Sequence, residues 1–259
     1  MAGFLFHDVI FGPVRSRRLG LSLGINLLPN HRKYCSFNCI YCECGWTPLL
    51  KEEEIELPPR ETVAEFLEKY LGELAEMDYL PDAITFAGNG EPTLHPDFGA
   101  IVEDTIRLRE KYCPGAKVSI LSNASMIHKP DVFHALLKLD NNIQKLDAGS
   151  EELFQRINNP VHSLSLTDLV ENLKRFNGRV IIQSMFLRGV YRDSPVDNTT
   201  DEAVGKWLQQ LGEIRPQVVM IYPIARATPV AGLEKIPVSE LEAIAEKIRG
   251  TGLYARVYH

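Results

Sequence analysis

The expected fold is a single α/β domain: a partial, TIM-like barrel of parallel strands, (β/α)6 in count and open on one side. Three observations lead to it. Short β-rich runs alternate with helical periodicities along almost the whole chain. No low-complexity linker or internal repeat interrupts them. A complete eightfold barrel usually takes roughly 250 residues and this chain has 259, yet only about six strand–helix units can be counted. At 259 residues, with 45% hydrophobic and 24% charged positions, the chain is long enough for one large core or two small ones.

Residues 1–19 read as an N-terminal extension. The first strand is GLSLGINLL, Gly20–Leu28, and it runs into a cysteine-rich loop. Glu61–Met77 has helical periodicity, with Val63, Phe66, Leu67, Tyr70, Leu71 and Leu74 on one side. Ala83–Gly88 is a short apolar strand, followed by the turn GNGEPTLHP. Phe98–Tyr112 is a helix and Lys117–Asn123 a strand. Another helix follows Pro130, since proline is tolerated in a first turn. Asn142–Gly149 is the next strand, and SEELFQRIN and SLTDLVENLKRFNG are two helices.

Arg179–Leu187 is the most β-like run. Residues 188–201 (RGVYRDSPVDNTTD) read as a polar, structureless loop before the helix EAVGKWLQQLG. Gln217–Pro223 is a strand, and residues 224–238 form a second long loop. The last helix opens with Ser239 and Glu242 at capping-box spacing and stops at Gly250; LYARVYH suits a terminal strand. The cysteine loop, GNGEP, SNAS, DAGS and both long loops all follow strand ends. In parallel α/β folds that rim is where ligands bind.

No apolar run reaches the ~18 residues of a membrane span. The opening MAGFLFHDVIFG lacks the basic start and cleavage site of a secretion signal. Four of five cysteines cluster, unlike an extracellular disulfide framework, so a reducing cytoplasmic setting is expected. Cys113 stands apart as a structural thiol. A net charge of −6 argues against a wholly basic nucleic-acid-binding domain. It leaves room for a local patch of Arg15, Arg17 and Arg18, with His31, Arg32 and Lys33 nearby; the alternative is a solvated face. Glu52, Glu53, Glu54 and Glu56 are expected to face solvent.

The chemistry concentrates in HRKYCSFNCIYCECGW. Cys35, Cys39 and Cys42 are separated by three and then two residues, which lets a short loop aim three thiolates at one point. Three thiolates suit a 4Fe-4S cluster, each binding one iron and leaving the fourth iron open. Zinc is the rival, and a structural zinc site would need Cys44 or His31 as its fourth ligand. Free thiols are the third reading. Zinc has no redox chemistry, so choosing between the metals also chooses between catalysis and a zinc-stabilised binding module.

That cysteine spacing, with Tyr41 before the third cysteine and Gly90-Glu91-Pro92 after the second strand, resembles the radical S-adenosylmethionine (SAM) superfamily. GPVRSRRLGLSLGINLLP and GNGEPTLHPDF further resemble the subgroup of tRNA wyosine-synthesis radical SAM proteins. The resemblance implies an iron–sulfur oxidoreductase or transferase-type enzyme. It would cleave SAM reductively to methionine and a 5′-deoxyadenosyl radical that acts on a substrate, with a nucleoside or tRNA expected first. Another radical outcome is a glycyl-radical-type activating enzyme acting on a partner protein. An external one-electron donor of flavodoxin or ferredoxin type is implied. The absence of a second cysteine cluster implies a single iron–sulfur centre.

The resemblance also implies roles for residues. Gly88, Asn89, Gly90 and Glu91 would receive the cofactor's ammonium group, glycine allowing carbonyls to approach. Ser122, Asn123, Lys145, Asp147, Ser150 and Gln183 would meet its ribose and carboxylate. Tyr41, Ile224 and Ala225 would bed the adenine. Cys44 is read as an idle neighbour. For the substrate, Arg188, Tyr191, Arg192, Asp193 and Asn198 in one loop and Arg226 in the other offer two-arginine recognition of phosphate or carboxylate.

Overall fold

The computed structural model describes residues 3–48 and 55–259. The chain runs β1 (Ile10–Ser16), β2 (Gly20–Ile25), α1 (Arg60–Glu76), β3 (Ala83–Phe86), α2 (Phe98–Tyr112), β4 (Lys117–Ser122), α3 (Pro130–Leu136) and β5 (Asn141–Lys145). It continues α4 (Glu151–Ile157), α5 (Leu166–Lys174), β6 (Ile181–Tyr191), β7 (Ser194–Asp197), α6 (Asp201–Ile214), β8 (Val218–Pro223), β9 (Glu234–Lys235), α7 (Val238–Gly250) and β10 (Ala255–Val257). The sheet order is β1-β2-β3-β4-β5-β6-β8-β10. From β2 to β10 every neighbour is parallel, and β1 lies antiparallel on β2. The ends of this order, β1 and β10, are not paired, so the sheet is an open barrel wall.

Alternation along the strands divides the core. Ile182, Val219 and Ile221 join the large core with the apolar faces of the helices. Ile143, Ile181 and Met220 form a second, smaller cluster, with Leu19, Leu121 and Tyr258 against it. Two residues further along the same strands come Lys145, Gln183 and Tyr222, which share the inner face because side chains alternate with period two. An apolar floor therefore supports a polar layer, and the cavity opens above it.

Three of the seven α-helices among the described residues start on a side-chain cap. Ser150, Ser165 and Thr200 each accept a backbone N–H from the first turn of α4, α5 and α6. Helix α3 carries Pro130 in its first turn, as expected. Helix α7 differs: it starts at Val238 after Pro237 with no side-chain cap, and Ser239 lies inside it. Proline already fixes the entry φ, so the capping-box spacing is not used. On α1, Val63, Leu67, Leu71 and Leu74 are buried, whereas Phe66 is 45% exposed, outside the apolar stripe. Cys113 is buried among apolar neighbours, which pushes its thiol pKa up to about 11.

Two expectations are corrected. The N-terminal extension contains β1, a full partner of β2. Residues 188–201 are not structureless: β6 continues through Tyr191 and turns back as β7 at Arg192 and Asp193, with φ of 51° and 59°. Such a turn usually carries Asn-Gly, so Arg-Asp hid the hairpin. The other long loop adds β9 to the opposite edge of β6. Glu56 is exposed as expected, while Glu52, Glu53 and Glu54 lie outside the described residues. Among the described residues no helix is long and apolar enough to cross a membrane.

Candidate functional site

The cysteine loop leaves β2 and is held from both sides. On one side Tyr34 forms a parallel bridge to Gly90, with Tyr34 N donating to Asn89 O at 2.9 Å and Glu91 N to Tyr34 O at 3.2 Å. On the other, Phe37 bridges Pro160, and Asn38 N and Ile40 N donate to the carbonyls of Asn159 and Ile157. Glycine is required at Gly90: φ is +147°, and a Cβ there would lie 1.8 Å from the Tyr34 carbonyl oxygen. At Gly88, φ is +141° and a Cβ would meet Asn26 Oδ1 at 2.3 Å.

Between these two straps Cys35, Cys39, Cys42 and Cys44 all face one cavity of about 560 Å³. Amide donors reach two of the sulfurs. Asn123 Nδ2 and Phe37 N lie 3.5 and 3.4 Å from Cys35 Sγ, and Asn158 Nδ2 lies 3.5 Å from Cys39 Sγ. Burial pushes the Cys35 thiol up to about 12, against the pull of Lys33, and raises Cys39 in the same way. Cys42 goes the other way, to about 5, because a hydrogen bond from Cys44 stabilises its thiolate against burial; Cys44 keeps its proton and is raised. The Cys44 thiol also lies 3.8 Å from the Gly88 carbonyl.

Lys33 is not part of a surface patch. It is 2% exposed, and Nζ donates to Gly45 O at 3.0 Å. Burial alone would lower its pKa, but the four surrounding cysteine sulfurs outweigh that and hold it raised. A buried ammonium beside several thiolates offsets the charge that metal binding requires of the sulfurs. The set fits an iron–sulfur cluster in donor chemistry: three cavity-facing sulfurs, amide donors to two of them and one buried cation. Among the described residues no three His, Cys, Asp or Glu side chains stand close enough to share a single metal ion, whereas a cubane spreads its thiolates over separate irons. His31 is exposed and bonded to Asn30 and Arg32.

The structure sorts the remaining expected cofactor residues. Tyr41, Gly88, Gly90 and Glu91 line the cavity, as do Ser122, Asn123, Lys145 and Gln183 on the wall and Ile224 and Ala225 beyond β8. Asn89, Asp147 and Ser150 do not. The Asn89 side chain turns outward, donating to Phe6 O and Pro29 O and accepting from Phe6 N, each at 2.8 Å; it ties down the N-terminal segment. Ser150 is spent on the α4 cap. Asp147 is a buried hub: Oδ2 accepts from Tyr41 OH and from Asn158 Nδ2 (2.7 Å) and lies 3.7 Å from Lys145 Nζ, while Oδ1 accepts from Met185 N at 2.8 Å.

Lys145 in turn donates to Tyr41 OH at 2.7 Å. Burial works most strongly against its charge, but Asp147, Tyr222, Cys39 and Cys42 together outweigh it and raise its pKa. Glu91 is fully committed. Oε1 accepts from Thr93 N (3.1 Å) and Thr93 Oγ1 (2.5 Å), and Oε2 from Asn123 N (2.6 Å). Its burial raises the carboxyl pKa even so.

The expected substrate residues divide as well. Arg226 lines the cavity and pairs with Glu43 at 2.7 Å. The other five lie away from it. Arg188 pairs with Glu240, and Asn198 is buried, donating to Asp147 O and Met185 O at 2.8 Å. Tyr191 stacks on Trp46 with centroids 6.3 Å apart, and Arg192 and Asp193 form the hairpin turn. Asn158, Lys33 and Arg18 were missed as site residues. For Lys33 the signal was its place two residues before Cys35; for Asn158 and Arg18 the partners lie 119 and 165 residues away.

Comparison with known proteins identifies the family and the fold. The profile of the Radical SAM superfamily matches residues 30–199. The UPF0026 protein of Methanocaldococcus jannaschii is 34% identical over 214 residues, covering 80% of this chain and 61% of that protein. The chain thus spans about three fifths of that relative, and a similar share of a Helicobacter pylori UPF0026 protein. Among solved structures, a radical SAM methyltransferase from Sphaerobacter thermophilus superposes with a TM-score of 0.65 at 15% identity, over 91% of this chain and 65% of that one. TYW1 with a lysine-pyruvate adduct bound gives 0.63 at 16% identity, over 88% and 73%. At these identities the structural likeness concerns the fold.

Proposed function

Because this chain belongs to the Radical SAM superfamily, we propose that Cys35, Cys39 and Cys42 hold one 4Fe-4S cluster and that the adjoining cavity takes SAM. The observation that carries this reading is three thiols from one doubly strapped loop facing a single cavity beside the Gly88–Glu91 turn. Held by these three cysteines, a reduced cluster would supply the one electron that splits SAM into methionine and a 5′-deoxyadenosyl radical.

The chain's own residues do the positioning. Gly88 and Gly90 bring the turn's backbone close to the sulfurs, and Glu91 braces that turn against β4 through Asn123. Tyr41, held by Asp147 and Lys145, presents a fixed ring to the cavity. Asn123 and Asn158 donate toward the sulfurs, which tunes a cluster's potential. Phe4, Phe6 and Phe11 line the cavity beside the loop, with the Phe6 and Phe11 rings stacked 3.8 Å apart.

A nucleoside or RNA is the proposed substrate class, supported by the resemblance to the wyosine-synthesis subgroup and by the arginines at the cavity. A small flavodoxin- or ferredoxin-type protein is the proposed electron donor, in the cytoplasm. The test is anaerobic reconstitution followed by assay for 5′-deoxyadenosine. Serine at Cys35, Cys39 or Cys42 should abolish cluster and product together, and serine at Cys44 should spare both. Product formation with the triad replaced would overturn the reading.

A further inference from the structure

The charges around the cavity cancel in pairs except at one place. Arg226 meets Glu43 at 2.7 Å, and Lys145 lies 3.7 Å from Asp147. Lys33 faces the cysteine sulfurs, and Glu91 is occupied by Thr93 and Asn123. What remains is Arg15, Arg17 and Arg18, at the end of β1 and in the turn to β2. All three line the cavity, and none forms an ion pair among the described residues. In a chain of net charge −6, three guanidinium groups left unpaired beside one cavity call for an anion from outside.

Arg18 is the best placed. Its Nη1 donates to Gln183 Oε1 at 2.7 Å, and its guanidinium lies 4.8 Å from the centroid of the Tyr222 ring. Both partners are neutral and belong to the polar inner layer of β6 and β8. The backbone behind it is held on both flanks. Ser16 Oγ accepts from Arg18 N (3.3 Å) and Leu19 N (3.2 Å), and Leu19 packs on the Ile143–Ile181–Met220 floor. After the turn, Asp82 Oδ2 accepts from Leu21 N at 2.7 Å. The guanidinium is thus aimed before any ligand arrives, and among the described residues Gln183 is its one hydrogen-bond acceptor, leaving N–H donors for a ligand.

We infer that the β1–β2 turn is a phosphate subsite of the substrate pocket, with Arg18 gripping a phosphate ester and Arg15 and Arg17 adding charge at its mouth. A single carboxylate is satisfied by one bidentate arginine, whereas a dianionic phosphate with three acceptor oxygens matches several. The inference rests on the radical reading above for calling this the substrate pocket. It assigns the substrate a phosphorylated nucleoside, either a free nucleotide or a residue of an RNA chain.

The test is equilibrium binding to the reconstituted protein with SAM present. The probes are uridine 5′-monophosphate, uridine and a uridine hexanucleotide; uridine avoids competition for an adenine bed. The monophosphate should bind about tenfold or more tightly than uridine, and the gap should shrink with added salt. Arg18→Ala should erase that gap while changing SAM affinity less than about threefold, with Arg18→Lys intermediate.

The exposed pair Arg15→Gln/Arg17→Gln, which leaves the folded turn intact, should weaken the monophosphate as well. A hexanucleotide that outcompetes the monophosphate identifies RNA as the source, and the reverse identifies a free nucleotide. Equal binding of monophosphate and uridine by the wild type overturns the inference. So does parallel loss of SAM and monophosphate in Arg18→Ala, which would give the arginine to the cofactor's carboxylate. Failure to form 5′-deoxyadenosine with phosphate binding intact would sink the radical reading and leave the phosphate subsite standing.

Discussion

Replacing Gly90 by alanine should unlatch the cysteine loop. The added Cβ would sit 1.8 Å from the Tyr34 carbonyl oxygen and 3.1 Å from Cys35 Cβ, where ordinary contact starts at 3.4 Å. The two backbones must therefore part by about 1.6 Å, the difference between 3.4 and 1.8 Å. Neither Tyr34 N→Asn89 O (2.9 Å) nor Glu91 N→Tyr34 O (3.2 Å) survives such a shift. Two hydrogen bonds at about 1 kcal/mol each, plus about 1–3 kcal/mol of backbone strain, give a cost of roughly 3–5 kcal/mol.

Because the lost bonds flank Cys35, the damage falls on the metal site before the whole fold. Iron and acid-labile sulfide per chain, measured after anaerobic reconstitution, should drop about tenfold or more, since a site must be assembled before it binds. Urea unfolding of the metal-free protein reports the stability cost separately. A Gly90→Ala protein with wild-type iron content and an unfolding free energy within about 1 kcal/mol of wild type would refute the close approach.

Three further outcomes follow from the same contacts. Asp147→Asn leaves the partly buried Lys145 ammonium without its countercharge and should cost about 2–4 kcal/mol in urea unfolding. Lys145 has a raised pKa in the folded state, so its contribution is complete below the unfolded value near 10.4 and is lost as pH rises through the folded one. The Lys145 contribution should therefore fade only above about pH 10, and a wild-type and Asp147→Asn pair with identical profiles from pH 8 to 11 would contradict this.

Asn158→Ala removes the amide donor from Cys39 and should make the cluster's midpoint potential more negative, on the order of tens of millivolts, as read by redox titration; an unchanged potential would count against the contact. Asn89→Ala cuts three hydrogen bonds to Phe6 and Pro29 and should destabilise by about 2–4 kcal/mol, with faster proteolysis within residues 3–9. Equal proteolysis rates would show that the segment is held by other means.

The chain's local patterns carried much of this reading. Period-two and period-3.6 apolar runs marked the parallel wall and its helices, and α2 falls on the residues its periodicity predicted. The 35–39–42 spacing marked the loop that turns its thiols to the cavity, because three thiols on one short loop are neighbours whatever the rest of the chain does. Tertiary structure decided which polar residues look into the cavity and which hold it together. Asn89, Asp147, Ser150 and Asn198 have the right chemistry and the right strand ends, yet their side chains are spent on Phe6, Tyr41, the α4 cap and the β6–β7 hairpin. Lys33 went from an apparent surface charge to the buried partner of the sulfurs, and Arg18 reached Gln183 from the far end of the chain. A spacing along the backbone fixes only groups that share a turn or a strand. A hydrogen bond across 165 residues depends on where the folded wall brings its strands together, and no local pattern records that.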